Sequence, residues 1–337
     1  MSMDTGQGQG SGIAAVGYGG RSSDEALAPA GWLWLGFAVV ALLLMDVVDL
    51  AVWGVVVPAT AVVIWVMVPF ARVRAETDAE IDRGDLIAVG VLWVAVVVSF
   101  WTAFDVFSTD RVEGLFLAFA VGLVAGVAGP LWWVVWHRGQ PLSALGLTSD
   151  RWRATVGIGI LLAGVQFAMT LWRYELPEPE DWVPLLVMSL VVGFFEAVFF
   201  RGFIQGRLEA SFGMGPAVLG AAVLYSLYHV GYGMASDEMV FLFGLGVVYA
   251  VAFRLVSNIL VLWPLLTPLG AFYNNVDAGD IDLPWASIAG FADVAVAMAV
   301  AVWFTARHCR GTLRRRSGSV NAEHQAKRRT TDGVVTP

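Results

Sequence analysis

Charge is scarce in this chain, and so are lysine and cysteine. Only 14% of its 337 residues are charged, where a soluble domain carries about 25%. A soluble fold with so few polar groups could not cover its own surface. That excludes an ordinary soluble enzyme, a disordered protein and a nucleic-acid binder. The single cysteine, Cys309, excludes an intrachain disulfide and any cysteine-rich metal motif. A single lysine, Lys327, leaves nineteen of the twenty basic residues as arginine.

What the chain does have is apolar bulk. It is 58% hydrophobic, with 15 Trp and 20 Phe, and its mean hydropathy is +0.71. A helix crosses a bilayer with about 20 apolar residues. Runs of that kind lie at 29–45, 51–70, 86–106, 114–136, 154–172, 184–203, 216–233, 239–253, 256–272 and 285–304. The expected fold is all-α, a polytopic transmembrane helical bundle of about ten spans. Residues 29–70 are interrupted only by Asp46, Asp49 and Pro58 and read as one span or two.

The ends read as tails. Residues 1–28 are rich in Gly, Ser, Gln and Asp and form a flexible N-terminal tail. Residues 305–337 form a basic tail suited to anionic lipid. With that tail in the cytoplasm, alternating spans put eighteen Arg and Lys on the cytoplasmic side. Only Arg111 and Arg173 remain on the other. The positive-inside rule then predicts both termini cytoplasmic and a multi-pass protein of the cell membrane. Small-residue patterns at Gly122, Gly126 and Gly129, and at Gly157, Gly159 and Gly164, predict close helix packing.

A charged side chain at the bilayer centre costs about 2.5–3.5 kcal/mol on insertion scales, so each one calls for a reason. Glu196 falls in the sixth span, His229 in the seventh and Asn274 at the end of the ninth. Arg201 falls at the cytoplasmic end of the sixth, where it can snorkel to lipid phosphate. In α-helical geometry Glu196 and Arg201, five apart, differ by about 140° around the axis and do not share a face. Tyr225 and His229, four apart, do. The expected boundaries put Glu196 about 10 Å and His229 about 20 Å from the cytoplasmic face, a difference in depth. A Glu, a His and an Asn around one water have a definite chemistry. The carboxylate takes the water's proton, the imidazole orients it or protonates a leaving amine, and the amide donates to the developing oxyanion.

These residues resemble the motifs of the CPBP family of intramembrane proteases. That family includes the CaaX prenyl endopeptidases and the Abi bacteriocin-immunity proteins. Its first motif, Glu-Glu-x-x-x-Arg-Gly, stands here as Glu196-Ala197-Val198-Phe199-Phe200-Arg201-Gly202. Its second, Phe-x-x-x-His, stands as Tyr225-Ser226-Leu227-Tyr228-His229. Its third, His-x-x-x-Asn, stands as Gly270-Ala271-Phe272-Tyr273-Asn274. Leu142–Leu147 resembles the segment before the family's core helices. The resemblance implies an organisation of accessory helices over 29–136 and a CPBP-like core over 137–304. It implies an intramembrane endopeptidase with Glu196 as base, His229 and Asn274 as its catalytic partners, and Arg201 and Tyr225 in support.

The chain departs from the family at Ala197, where the second Glu stands, and at Gly270, where the third-motif His stands. Those departures leave a second reading, a proteolytically inactive member acting as a membrane binding or immunity protein. A third reading is a small transporter whose polar path uses Asp46, Asp49, Asp105 and Asp293. No zinc ligand set is predicted from the residues, although the resemblance makes zinc possible. The expected partners are membrane lipid and a peptide or membrane-protein substrate, with no nucleic acid. Other intramembrane chemistries lack their signatures: no Gly-x-Ser-Gly, no Gly-x-Gly-Asp and no His-Glu-x-x-His occurs.

Overall fold

In the computed structural model, the residues described are 29–45, 47–68, 81–107, 113–148, 152–171, 178, 182–266 and 285–332. They contain ten helices and no strand. In order these are α1 (Pro29–Leu44), α2 (Leu50–Met67), α3 (Arg83–Val106), α4 (Phe119–His137), α5 (Trp152–Thr170), α6 (Trp182–Phe212), α7 (Met214–Tyr232), α8 (Ser236–Val256), α9 (Ile259–Leu266) and α10 (Trp285–Asp332). A helix overlaps each predicted span, although α9 covers only eight residues of 256–272 and 267–272 lie outside the described residues; the fold is the all-α membrane bundle that composition demanded. Seven segments among the described residues are long and apolar enough to cross a bilayer: α2, α3, α4, α6, α7, α8 and Ile288–Gly311 of α10. The other three are shorter. Apolar helix covers Ala30–Leu44 and Trp152–Ala168, and α9 has eight residues.

The largest departure from expectation is the length of α6. The predicted span stopped at 203, where Arg201 and Gln205 lower the hydropathy. The helix instead runs on to Phe212 and ends at Gly213, whose φ of +79° suits a residue without Cβ. Pro184 is tolerated near its start because the first turn needs no intrahelical N–H bond there. The stretch Ala197–Gln205 is π-helical, with every residue buried. From Gly213 the chain turns directly into α7, so α6 and α7 form a hairpin. Glu196 lies sixteen residues before the end of α6, and His229 fifteen after the start of α7. At about 1.5 Å per residue both sit some 22–24 Å from the turn. The predicted difference in depth came from ending α6 nine residues early.

Small residues set the helix spacing around this hairpin. A Cβ on Gly126 would lie 2.1 Å from the Phe195 ring, one on Gly122 2.7 Å from Phe100, and one on Gly129 2.6 Å from Leu92. The α4 glycines therefore pack as predicted. Of the α5 set only Gly159 does, against the Val261 carbonyl at 2.9 Å; Gly157 and Gly164 face open space. A Cβ on Gly202 of the first motif would lie 2.5 Å from the Leu145 carbonyl, so its absence lets the short 3-10 turn Leu142–Leu145 sit on the π-helical stretch. Longer reaches complete the frame. The Trp93 indole of α3 donates to the Leu224 carbonyl at 2.9 Å, and the Trp53 indole of α2 to Ala41 at 2.7 Å.

At one end of the bundle, three segments predicted on the same side of the membrane meet in an ion-pair cluster. Arg138 pairs with Asp82 at 2.6 Å and Asp85 at 2.9 Å. Arg207 of α6 approaches Asp85 at 3.4 Å and donates to Gln140 at 2.8 Å. The Trp133 indole donates to Asp85 at 2.7 Å.

Candidate active site

The centre of α6 and the end of α7 build the site. Glu196 is 3% exposed and Arg201 1%. The Tyr228 hydroxyl donates to Oε1 of Glu196, and the Tyr225 hydroxyl to Oε2 at 3.5 Å. Tyr225 and Tyr228 are three apart on α7, so both hydroxyls reach α6 from one face. Nδ1 of His229 lies 2.9 Å from the Tyr225 carbonyl. A carbonyl only accepts, so Nδ1 carries hydrogen and Nε2 is left for other partners. The imidazole packs 4.0 Å from the Tyr228 ring and 5.2 Å from that of Tyr225. Tyr225 and Tyr228 therefore touch both Glu196 and His229.

Arg201 is packed inside the bundle at 1% exposure, which corrects the snorkelling expectation. The extra turns of α6 put it eleven residues inside the helix end. The π-helical stretch then changes which way it faces. A π-helical turn, with hydrogen bonds from i to i+5, holds more residues than an α-helical one, so Glu196 and Arg201 diverge by less than the about 140° of α-helical geometry and both meet Tyr225. The guanidinium lies over the Tyr225 ring at 5.0 Å, the ring whose hydroxyl reaches Glu196. Both terminal nitrogens of Arg201 lack a hydrogen-bond acceptor among the described residues. A buried guanidinium in that state is costly to hold, and the ring face offsets part of the cost.

Asn274 and Gly270 lie outside the described residues, as does Asp46. Asp49 caps α2, accepting from the amides of Ala51 and Val52 at 3.1 Å. Asp105 and Asp293 are exposed. These three carboxylates do not line an interior path. Tyr228 was not singled out from sequence, although its spacing from Tyr225 was visible and places it on the same face. Among the described residues, no three His, Cys, Asp or Glu side chains converge on a point that could hold a metal ion. Glu196 and His229 alone are too few for a closed zinc site, and both Glu196 oxygens already accept from tyrosines. The described residues do not fit zinc.

A family model covers the hairpin and its neighbours. Residues 178–265 match the Rce1-like family, described as type II CAAX prenyl endopeptidase Rce1-like. The matched segment takes in α6, α7, α8 and nearly all of α9, and with them Glu196, Arg201, Tyr225, Tyr228 and His229. At family level the match supports a CAAX-type intramembrane protease, in agreement with the motif resemblance. Together with the seven long apolar helices, it makes the chain a multi-pass membrane protein. No curated protein and no solved structure matches the chain.

Proposed function

We propose that the protein is an intramembrane endopeptidase of the cell membrane that hydrolyses a peptide bond with water activated by Glu196. The observation that carries this reading is a carboxylate buried at mid-helix depth, gripped by two tyrosine hydroxyls beside a histidine with one free ring nitrogen. In this scheme Glu196 accepts a proton from water as the oxygen bonds to the scissile carbonyl carbon. The carbonyl oxygen becomes the oxyanion, and the Asn274 amide donates to it. Collapse breaks the C–N bond, and the leaving amine takes a proton from Glu196 or through Nε2 of His229. Arg201 and Tyr225 support the carboxylate. The substrate class, taken from the family match, is a prenylated peptide or protein.

The competing reading is an inactive binding or immunity protein. It is favoured by Ala197 and Gly270, and by how completely Glu196 is covered. Purified wild type and Glu196→Gln, incubated with a prenylated peptide ending in a CAAX sequence, separate the two. Mass spectrometry should find the product from wild type and about 10²–10⁴-fold less from the variant. Equal cleavage by both, or none by either, makes the binding reading the correct one.

A further inference from the structure

We propose that Tyr228 is a positioning residue of this site, fixing the Glu196 carboxylate through its hydroxyl and the His229 imidazole through its ring. The inference rests on the reading of Glu196 as the base. Tyr228 lies outside the motif positions that carry the family resemblance, so the role comes from geometry.

Three observations converge on it. The first is the hydroxyl, which donates to Oε1 of Glu196 while Tyr225 serves Oε2. Each carboxylate oxygen has two lone-pair directions. One donor on each oxygen stops the carboxylate from rotating and leaves a lone pair on each for water. The second is the ring, tilted against the His229 imidazole with centroids 4.0 Å apart. The imidazole is also held by the Tyr225 carbonyl on Nδ1. The third is rigidity. Tyr228 is 1% exposed, with its ring 4.7 Å from Phe200 and 5.9 Å from Phe100. A ring packed this way cannot swing its hydroxyl away, and a fixed donor is what orients a working group.

Two expected catalytic groups are thus linked through one side chain. No hydrogen bond between Glu196 and His229 occurs among the described residues, so their relative placement depends on Tyr228 and Tyr225. The other polar groups around the carboxylate are Arg201 on its own helix, Tyr232 on α7 and Tyr249 on α8, all within electrostatic range. None of these three makes a hydrogen bond to it among the described residues.

The test removes one oxygen and keeps the ring. With the prenylated CAAX peptide, Tyr228→Phe should lower kcat about 10–100-fold with KM unchanged, the scale of a hydrogen bond to a charged group. Tyr225→Phe should lower it less. Infrared difference spectra supply a readout independent of turnover. The carboxyl band absent from Glu196→Gln should shift in Tyr228→Phe. It should shift the opposite way with 3-fluorotyrosine at 228, a more acidic phenol that keeps the fold if the Phe variant does not. A kcat equal to wild type, or a band fixed in both 228 variants, overturns the positioning role. If wild type cleaves nothing, the protease reading fails and the infrared shifts alone decide whether Tyr228 holds Glu196.

Discussion

Two charged clusters belong to this bundle, one partly exposed at its end and one buried at its centre, and they are built in different ways. At the bundle end, Asp82, Asp85, Arg138 and Arg207 form mutual ion pairs, with Gln140 and Trp133 supplying further hydrogen bonds. At the centre, Glu196 and Arg201 are of opposite sign and within electrostatic range, yet form no ion pair within 4.0 Å. Glu196 takes its hydrogen bonds from tyrosines, and the two terminal nitrogens of Arg201 have no acceptor among the described residues. The first cluster satisfies its carboxylates by mutual ion pairs, with only Nε of Arg207 left without an acceptor among the described residues, and it joins α3, the segment after α4, and α6. The second leaves hydrogen-bonding capacity open in a place where doing so is expensive. Native structures give up stability in this manner chiefly at functional sites. On the proposed reading of Glu196 as the base, the contrast separates structural charge from working charge within a single helix, because Arg201 and Arg207 both belong to α6.

The sharpest way to break the comparison is to remove one acid from each cluster. Glu196→Gln should cost cleavage about 10²–10⁴-fold while the thermal midpoint in detergent holds or rises, since a neutral amide replaces a buried acid. Asp85→Ala should do the reverse. It strips Arg207, which is 4% exposed, of its carboxylate and takes the acceptor from Trp133. Losing one partner of a buried pair costs roughly 3–5 kcal/mol. The expected result is a lower unfolding midpoint with unchanged turnover per folded molecule. If Asp85→Ala leaves stability alone and abolishes cleavage, the division of labour drawn here is wrong.

Much of this was legible in the sequence for simple reasons. The scarcity of charge forced the membrane class, and 20-residue apolar runs located the helices. Intramembrane cost singled out Glu196 and His229. What stayed hidden was set by backbone geometry. Arg201 and Gln205 look like the end of a span, because hydropathy cannot reveal that Arg201 is buried by tertiary packing against Tyr225. A π-helical stretch has no signature in side-chain spacing, so α-helical arithmetic put Glu196 and Arg201 on different faces. Tyr228 reads as one more aromatic in an aromatic-rich chain until its hydroxyl is seen on Glu196. Asp85 stands just before the expected span 86–106 with nothing in the sequence to single it out, and its partners are 48 to 122 residues away in sequence.

The third prediction compares the two arginines of α6. Arg201→Leu removes a buried cation without hydrogen-bond acceptors and supplies apolar volume. It should be neutral or stabilise by up to about 2 kcal/mol, as apolar replacements of buried charge often do, while cleavage falls. Arg207→Leu orphans Asp85 and should destabilise. A loss of stability from Arg201→Leu as large as that from Arg207→Leu would show that Arg201 also holds the bundle together.

The smallest effect is expected at Asp82, the most exposed member of the end cluster. Its carboxyl is partly buried, which by itself disfavours ionisation. The hydrogen bond from Arg138, the amides of Asp85 and Gly84 and the Arg138 charge outweigh that and hold it below its ordinary value of 3.8. A group lowered in the folded state stabilises above its unfolded value, and that contribution is lost as pH falls through the folded one. The stabilisation from Asp82 is therefore complete above about pH 5 and fades below about pH 4. Its side chain is 43% exposed, so solvent and salt screen the pair, and exposed pairs are worth about 0.2–1 kcal/mol. Asp82→Asn should unfold slightly earlier than wild type at neutral pH, with the gap narrowing in acid and in high salt. Thermal unfolding in detergent across that range measures it. A gap that stays constant from neutral pH down to about pH 3 would mean that Asp82 contributes only as the neutral cap of α3, whose first amides its side chain accepts at 2.8 and 3.2 Å.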